Sequence, residues 1–560
     1  MRLAAAGTPR GPKVPRRSRA RNPRAATILL VLLALLGLSL VIGNAWVAED
    51  AFITFRVVDN AVHGYGFRWN VDERVEVFTN PLWMLIHIPF HALWSNIFLL
   101  TIAISLVCTV LAVVIAARAI RGPHAFLAVT LLLPLLLSKT FVEFSTSGLE
   151  NPMSHLLAAL VFWLLLRHRD AGGRFPWFWL TCVIALSGVN RLDTLLLYLP
   201  LTAYLLVTRF REVPWGDVVA GTLPLVAWKL FALFYYGFPF PNTAYAKLAT
   251  GASRLSYVEQ GAWYLLDWLR RDPVSLLVLL AAIVLATGFL LRRRPRIPAP
   301  ADAGLLASLA VGVLLYGLYV ISVGGDFMAG RFWSLCLFVL VLAVAAALPR
   351  DLPIRRLAGI ALLLLMTAGL SRWTSPVEAF REGRFVRTWR NIDDERLKYA
   401  EGHAFYEPRR QHPFQWSMSM ETNRPDIIMW YAVGLNAYRC GSRTIVVDGL
   451  GLADPLLARM PPLPDRPFYV GHFLRGIPRD YMMARVLHSL DPLQPDLRNY
   501  YGKLKLIISG PLFDGERLAT LVRFNMGEYD TMKEAYLASG EPYDALVKGD
   551  ALYRGVAEVP

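Results

Sequence analysis

The 560-residue chain predicts an α-helical polytopic membrane domain of about 11 transmembrane helices, followed by a C-terminal periplasmic mixed α/β domain. Three observations lead there. Apolar residues make up 55% of the chain and the mean hydropathy is +0.41, against roughly 45–50% apolar in soluble globular chains. Apolar runs recur about eleven times up to residue 371, each near the length that crosses a hydrocarbon core of about 30 Å. From Arg372 onward the long apolar runs stop.

The chain reads as a cytoplasmic basic tail at 1–25, a transmembrane domain at 26–371 with a catalytic external loop at 47–97, and a periplasmic soluble domain at 372–560. The tail carries eight Arg and Lys and no acid, which places the N-terminus inside by the positive-inside rule. Spans are expected near 26–46, 98–120, 124–141, 151–167, 175–189, 192–208, 217–236, 274–292, 303–323, 331–348 and 356–371. With that count, the Arg-rich stretches at 118–121, 167–169, 209–211, 292–296 and 355–356 all face the cytoplasm. Pro81 to Trp94 is apolar enough to cross, but counting it would put those clusters outside. It therefore reads as a juxtamembrane helix along the outer surface. The run at 175–189 is short enough for a half-helix.

The net charge of +16 sits largely in the tail and in clusters flanking spans, which assigns it to membrane orientation rather than nucleic acid. Cys108, Cys182, Cys336 and Cys440 show neither zinc spacing nor a disulfide framework. The first apolar run lacks a small-x-small cleavage site and reads as an anchor. In the C-terminal region RTIVVDG (443–449), LKLIISG (504–510) and RLATLVRF (517–524) read as strands. Its Tyr, Trp and Pro suit a sugar-binding face, though aromatics in a small domain are more often core.

Under this topology the polar loops collect on the outer side. The most informative is the acidic pair Glu49 and Asp50, in WVAEDAFITFR at the end of the first run. Carboxylates at a membrane face are costly unless solvated, paired or used. Adjacent residues on a helix point about 100° apart, so one acid could act as a base on an acceptor hydroxyl while the other holds Arg56, a cation or a sugar hydroxyl. A solvated helix end is the plainer alternative. RVEVFTN supplies Arg74, Glu76 and Asn80 as sugar- or acceptor-binding candidates, or merely an exposed strand.

SGLENP brings Glu150 and Asn151 to a helix start, where Pro and an acid are also ordinary capping chemistry. GVNRLD sets Arg191 and Asp193 between two apolar runs. Charges at that depth should face the protein interior, with Arg191 suited to a lipid phosphate or to a structural pair with Asp193. PNTAYAK gives Asn242, Tyr245 and Lys247, and GGDFMAGR gives Asp326 and Arg331. Lys247 and Arg331 are further phosphate candidates, or snorkelling cations. No HExxH, Walker A motif, dinucleotide fingerprint or serine elbow occurs. No nucleotide cofactor is expected, a divalent cation is possible, and a lipid-phosphate donor fits an external site.

Several stretches resemble one family: AEDAFITFRVVDNAVHGYGFRWNVDERVEVFTN, SGLENP, PNTAYAK, GGDFMAGRFW, VVDGLGLADPLLAR and YVGHFLRGIPRDY. They are similar to the GT-C glycosyltransferases, which carry an acidic motif in the first external loop, and more narrowly to the AftB-like arabinofuranosyltransferases that act on mycobacterial cell-wall arabinan. The resemblance runs over most of the chain. It implies a GT-C fold, a polyprenyl-phosphate-arabinofuranose donor, and a glycan acceptor (arabinan of arabinogalactan or lipoarabinomannan) at the outer face of the plasma membrane. It also implies that Glu49 or Asp50 is catalytic, and that His472 and Arg475 lie near the acceptor or the donor phosphate. The family's acidic pair is Asp-Asp where this chain has Glu49-Asp50, which leaves open which acid is the key one. Inverting and retaining transfer both remain open. A related GT-C transferase with another sugar or a protein or O-antigen acceptor, a lipid-linked sugar flippase and a membrane-anchored glycan-binding protein are the alternatives. The flippase would favour internal repeats, and none is visible.

Overall fold

A computed structural model describes residues 23–171, 174–248, 250–290, 303–370, 389–396, 427–431, 433–463 and 468–539. The basic tail before residue 23 and much of 372–560 lie outside the described residues.

Helices dominate. In chain order they are α1 (Pro23–Gly43), α2 (Ala51–Val62), α3 (Pro81–Leu93), α4 (Ile97–Ile120), α5 (His124–Leu127), α6 (Leu133–Leu137), α7 (Lys139–Phe144), α8 (Asn151–Ala171), α9 (Trp177–Asn190), α10 (Leu195–Thr208) and α11 (Trp215–Tyr236). Then follow α12 (Asn242–Leu248), α13 (Arg254–Arg271), α14 (Pro273–Leu290), α15 (Ala303–Ser322), α16 (Trp333–Ala347) and α17 (Ile354–Leu370). The C-terminal part holds β1 (Ile427–Trp430), α18 (Leu435–Arg439), β2 (Ile445–Asp448), α19 (Arg479–Val486), α20 (Pro495–Ser509), α21 (Gly515–Asn525) and α22 (Asp530–Ala538).

Each of the eleven apolar runs is mostly helical among the described residues. Among the described residues, three helices are long and apolar enough to cross a membrane: Ile97–Ile120, Trp215–Tyr236 and Gly304–Ser322. Shorter apolar helices account for most of the remaining runs. This composition fits a helical membrane protein. The bundle core is built from the small and aromatic faces of α4, α8 and α16, with Ala112, Ala116, Ala158, Phe162 and Phe338 all buried.

The run at 124–141 is not one continuous helix. It passes from α5 through a π-helical turn at Ala128–Leu132 into α6, then breaks at Ser138, which is extended. Pro134 sits at the start of α6 and has no N–H to close an α-helical bond. Ser138 caps α7, its hydroxyl accepting from the Phe141 amide at 3.1 Å. The segment at 81–94 is helical, as α3. Trp83, Met84 and His87 are buried, while Leu85, Phe90 and Leu93 are exposed on the other side. The sequence reading did not anticipate α13. Its buried face is mixed, with Tyr257, Tyr264, Asp267, Trp268 and Arg271, so no apolar run marks it.

Two of the three strands expected in the C-terminal part are helices. The described sheet is two parallel strands, β1 and β2, paired Ile427 to Ile445 through Trp430 to Asp448. RTIVVDG is the strand expected there. LKLIISG and RLATLVRF are instead helical, within α20 and α21. Buried Leu497, Tyr500, Tyr501, Leu504 and Ile508 in α20, and Arg517, Thr520, Leu521 and Phe524 in α21, recur at three and four residues, the period of one helix face. A window of seven or eight residues was too short to reveal it.

This part is stitched to the loop side of the bundle. Asn70 pairs with β2 as a strand would, donating to the Val446 carbonyl and accepting from its amide, both at 3.0 Å. Trp46, Phe52 and Phe55 share one core with Ala437, Val446 and Ala453.

Candidate functional site

Where the loops leading into α2, α3 and α16 meet the C-terminal part, a cavity of about 200 Å³ opens. Asp50 enters it from the start of α2, Asn80 from the start of α3, and Arg191 and Asp193 from the turn after α9. Lys247 enters from α12, and Asp326 and Arg331 from the loop before α16. Seven of the residues singled out in the sequence thus converge from five separate stretches of chain.

The cavity's charges are organised around Glu150, which lies just behind the wall. Its carboxylate accepts from Arg191 Nη1 at 2.8 Å, from Asn80 Nδ2 at 2.9 Å and from Arg331 Nη2 at 3.4 Å. Burial alone would raise its pKa. The two guanidinium groups and the hydrogen bonds outweigh burial and hold it at about 2. Arg191 also forks onto Asp193, Nε to Oδ1 at 3.0 Å and Nη2 to Oδ2 at 2.6 Å. Arg331 donates to Asp326 at 3.2 Å. Both cations lie against the Phe332 ring, whose centroid is 4.6 Å from Arg191 Cζ and 5.6 Å from Arg331 Cζ. Asn151 donates to the Arg331 carbonyl at 2.9 Å.

The loop that carries Asp326 and Arg331 needs glycine. Gly325 has φ +71°, and a Cβ there would fall 2.4 Å from the Tyr264 ring. The Tyr264 hydroxyl in turn donates to the Met328 carbonyl at 2.9 Å, which fixes the loop over α13.

Glu49 and Asp50 have different surroundings. Asp50 lines the cavity. The Glu49 carboxylate turns toward α18, accepting from the Gly434 and Leu435 amides at 2.7 and 3.0 Å. Burial first, then the charge of Asp50, pushes the Glu49 pKa up to about 8 against those two hydrogen bonds, so it is mostly neutral at pH 7. The approach is tight: a Cβ on Gly434 would lie 2.0 Å from the Glu49 carbonyl oxygen. Gly434→Ala is therefore expected to lower stability by about 1–3 kcal/mol, the usual cost of overpacking, read as a fall in the thermal unfolding midpoint.

Other cations singled out in the sequence spend their donors on backbone carbonyls. Arg56 donates to Trp69 and Thr444, each at 2.7 Å, and to Ala437. Arg74 donates to Tyr235 and Ile507, each at 3.2 Å, and to Gly510 at 2.5 Å. Arg475, fully buried, donates to Met460 at 2.7 Å and to Ala246. Each ties the C-terminal part to the segments preceding it in the chain, and none lines the cavity. His472 is likewise outside its wall, stacked on Tyr469 with ring centroids 4.3 Å apart and edge-on to Phe327.

Arg74, Glu76, Asn242 and Tyr245 gather instead around a much smaller void beside Arg459. Asn242 Nδ2 donates to the carbonyls of Gly451, Leu452 and Asp454 at 3.0–3.1 Å. Burial pushes Glu76 up to about 7.

Sequence reasoning passed over Thr243 and Tyr319, which line the cavity, and the acidic run Asp393–Asp394–Glu395. Asp393 docks on the Asp326–Arg331 loop through the Phe327 and Ala329 backbone, at 2.7 and 2.9 Å. Asp394 pairs with Lys139 at 3.0 Å and Arg271 at 3.6 Å. The acidic run was the available signal. Among the described residues, no three His, Cys, Asp or Glu side chains converge as a metal-ligand set, and Asp193 and Asp326 are each held by a guanidinium. Positive charge at the cavity comes from Arg191, Lys247 and Arg331.

The chain is 30% identical over 410 residues to a terminal beta-(1->2)-arabinofuranosyltransferase of Mycobacterium tuberculosis, covering 64% of this chain and 63% of that protein. The chain resembles arabinofuranosyltransferases. A second relative with the same name, from Corynebacterium glutamicum, is 30% identical over 395 residues, 63% of this chain and 54% of its own length. The match therefore spans less than two thirds of each relative. No family model matches the chain, and no solved structure does.

Proposed function

We propose that the chain is a membrane glycosyltransferase. It moves arabinofuranose from a polyprenyl-phosphate donor to the arabinan of a cell-envelope glycan, at the outer face of the plasma membrane. The observation that carries this reading is the single cavity holding Asp50 together with Arg191, Lys247 and Arg331. An acid on one wall and cations around it are what group transfer from a phosphate leaving group requires.

In this reading the acceptor hydroxyl oxygen bonds to the anomeric carbon as the bond from that carbon to the phosphate oxygen breaks. The hydroxyl proton passes to Asp50. The electron pair leaves with the polyprenyl phosphate, whose charge the cations stabilise. The lipid tail leaves past Leu248, Tyr319 and Val323, which form an apolar part of the wall. Leu248 is 59% exposed.

Among the described residues Lys247 has no acidic partner, whereas Arg191 and Arg331 are paired. Lys247 is therefore assigned the largest share of donor-phosphate binding. Lys247→Met is expected to weaken donor binding by about 10- to 100-fold, from a charged hydrogen bond worth about 1.5–3 kcal/mol. Titration of the purified protein with a polyprenyl phosphate measures it.

The function itself is tested with purified protein in nanodiscs, decaprenyl-phosphate-arabinofuranose and a synthetic arabinan acceptor. An added arabinofuranose, with its linkage read by NMR, supports the proposal. Lipid movement without transfer would favour a flippase, and transfer of another sugar would redirect the donor assignment.

A further inference from the structure

We propose that α21, with Phe513 before it and Met526 after it, is a membrane-seated helix that rests its outer face in the lipid leaflet beside α11. The 372–560 region is then not wholly a solvent-borne domain. Two faces of α21 are used. Arg517, Thr520, Leu521 and Phe524 are buried against the C-terminal part. On the far side Leu518, Val522 and Met526, four residues apart and so on one stripe, are 37%, 55% and 80% exposed, and Phe513 is 86% exposed. Charges are confined to a flank, where Glu516 meets Lys503 at 3.7 Å and Arg523 meets Glu528 at 3.8 Å. An apolar stripe bordered by charge is the pattern of a helix lying in a lipid interface.

The anchoring of α21 fixes its depth. Arg517 Nη2 donates to the carbonyls of Phe234 and Tyr235 at 2.8 and 3.2 Å, and Asn525 Nδ2 donates to that of Gly237 at 2.8 Å. Phe234 and Tyr235 are in the last turn of α11, and Gly237 caps it; α11 is one of the helices long and apolar enough to cross a membrane. Helix α21 therefore lies across the end of a span, at headgroup level. The stripes are also continuous. On α11, Val219, Leu223, Val226 and Leu230 are exposed in one row. The next residue of that row, Phe234, packs against Phe513 with ring centroids 5.3 Å apart. Lipid that covers the α11 row reaches Phe513 and then the α21 stripe without a break, which selects lipid over a second copy of the chain as the occupant.

The test uses the full chain in phospholipid liposomes, with spin labels on single cysteines at 516, 522 and 526 in a background where Cys108, Cys182, Cys336 and Cys440 are Ala. Oxygen should relax the labels at 522 and 526 more than a water-soluble nickel chelate does, with the order reversed at 516. Chelate dominating at 522 and 526 would overturn the proposal, as would exclusion of both reagents, which indicates a protein partner. In the native-cysteine chain, Val522→Lys with Met526→Lys gives a second reading. The rise in unfolding temperature when phospholipid is added to detergent-solubilised protein should shrink. An undiminished rise would contradict a lipid seat.

Discussion

Asp50→Asn should lower the transfer rate by about 100- to 10,000-fold, the range general-base catalysis supplies, while Glu49→Gln should cost less than about tenfold. The asymmetry follows from where the two carboxylates point. Asp50 faces the cavity, where an acceptor hydroxyl would sit, and an amide there can no longer take the proton. Glu49 faces the 434–435 backbone, and with its pKa near 8 it is already neutral at pH 7. Glutamine reproduces that neutral group, and its amide oxygen can still accept from both N–H donors. Initial rates with a lipid-linked arabinofuranose donor, alongside unfolding midpoints for both variants, measure the difference. A Glu49→Gln loss as deep as that of Asp50→Asn would show that the base has been assigned to the wrong acid.

The second large effect concerns Glu150. Removing it by Glu150→Ala leaves two buried guanidinium groups without the acid they share. Breaking a buried ion pair in this way costs about 3–5 kcal/mol, so this variant should unfold well below the wild-type temperature and lose transfer as Arg191 and Arg331 swing from the wall. The pH dependence has a definite sign. The folded pKa of about 2 lies below the ordinary 4.5, so the unfolded chain binds the proton more tightly. The contribution of Glu150 is complete above about pH 4.5 and fades as pH falls toward 2. It amounts to about 3 kcal/mol at about 1.4 kcal/mol per pH unit. Unfolding midpoints between pH 6 and 3 should fall more steeply for the wild type than for Glu150→Gln. Parallel slopes would remove Glu150 from its central place in the network.

Much of this was legible in the sequence, for stated reasons. Helices that bury apolar faces among themselves or in lipid need long apolar runs, so every such run marks a helix. The break at Ser138 escaped notice because apolar composition does not report on backbone continuity. Amphipathic α13 and α21 escaped because their buried faces include Asp267, Arg271 and Arg517, and α20 because seven residues of it are too few to show a helical period.

For the site, Arg191, Asp193, Asp326 and Arg331 were recognisable because charge next to an apolar run has to be used or paired. Arg56, Arg74 and Arg475 carry the same charge but bind carbonyls distant in sequence, and one-dimensional spacing cannot distinguish that from a phosphate contact. The separation of Glu49 from Asp50 depends on Gly434, nearly 400 residues away, and no local pattern reveals it.

The most direct measurement is a cryo-EM map of the protein in nanodiscs with a bound polyprenyl phosphate. The account predicts the phosphate in contact with Lys247, between Arg191 and Arg331, with Asp50 across the cavity and the tail leaving past Tyr319 and Val323. A phosphate seated away from that cavity, for instance beside Arg74 and Arg459, would contradict it.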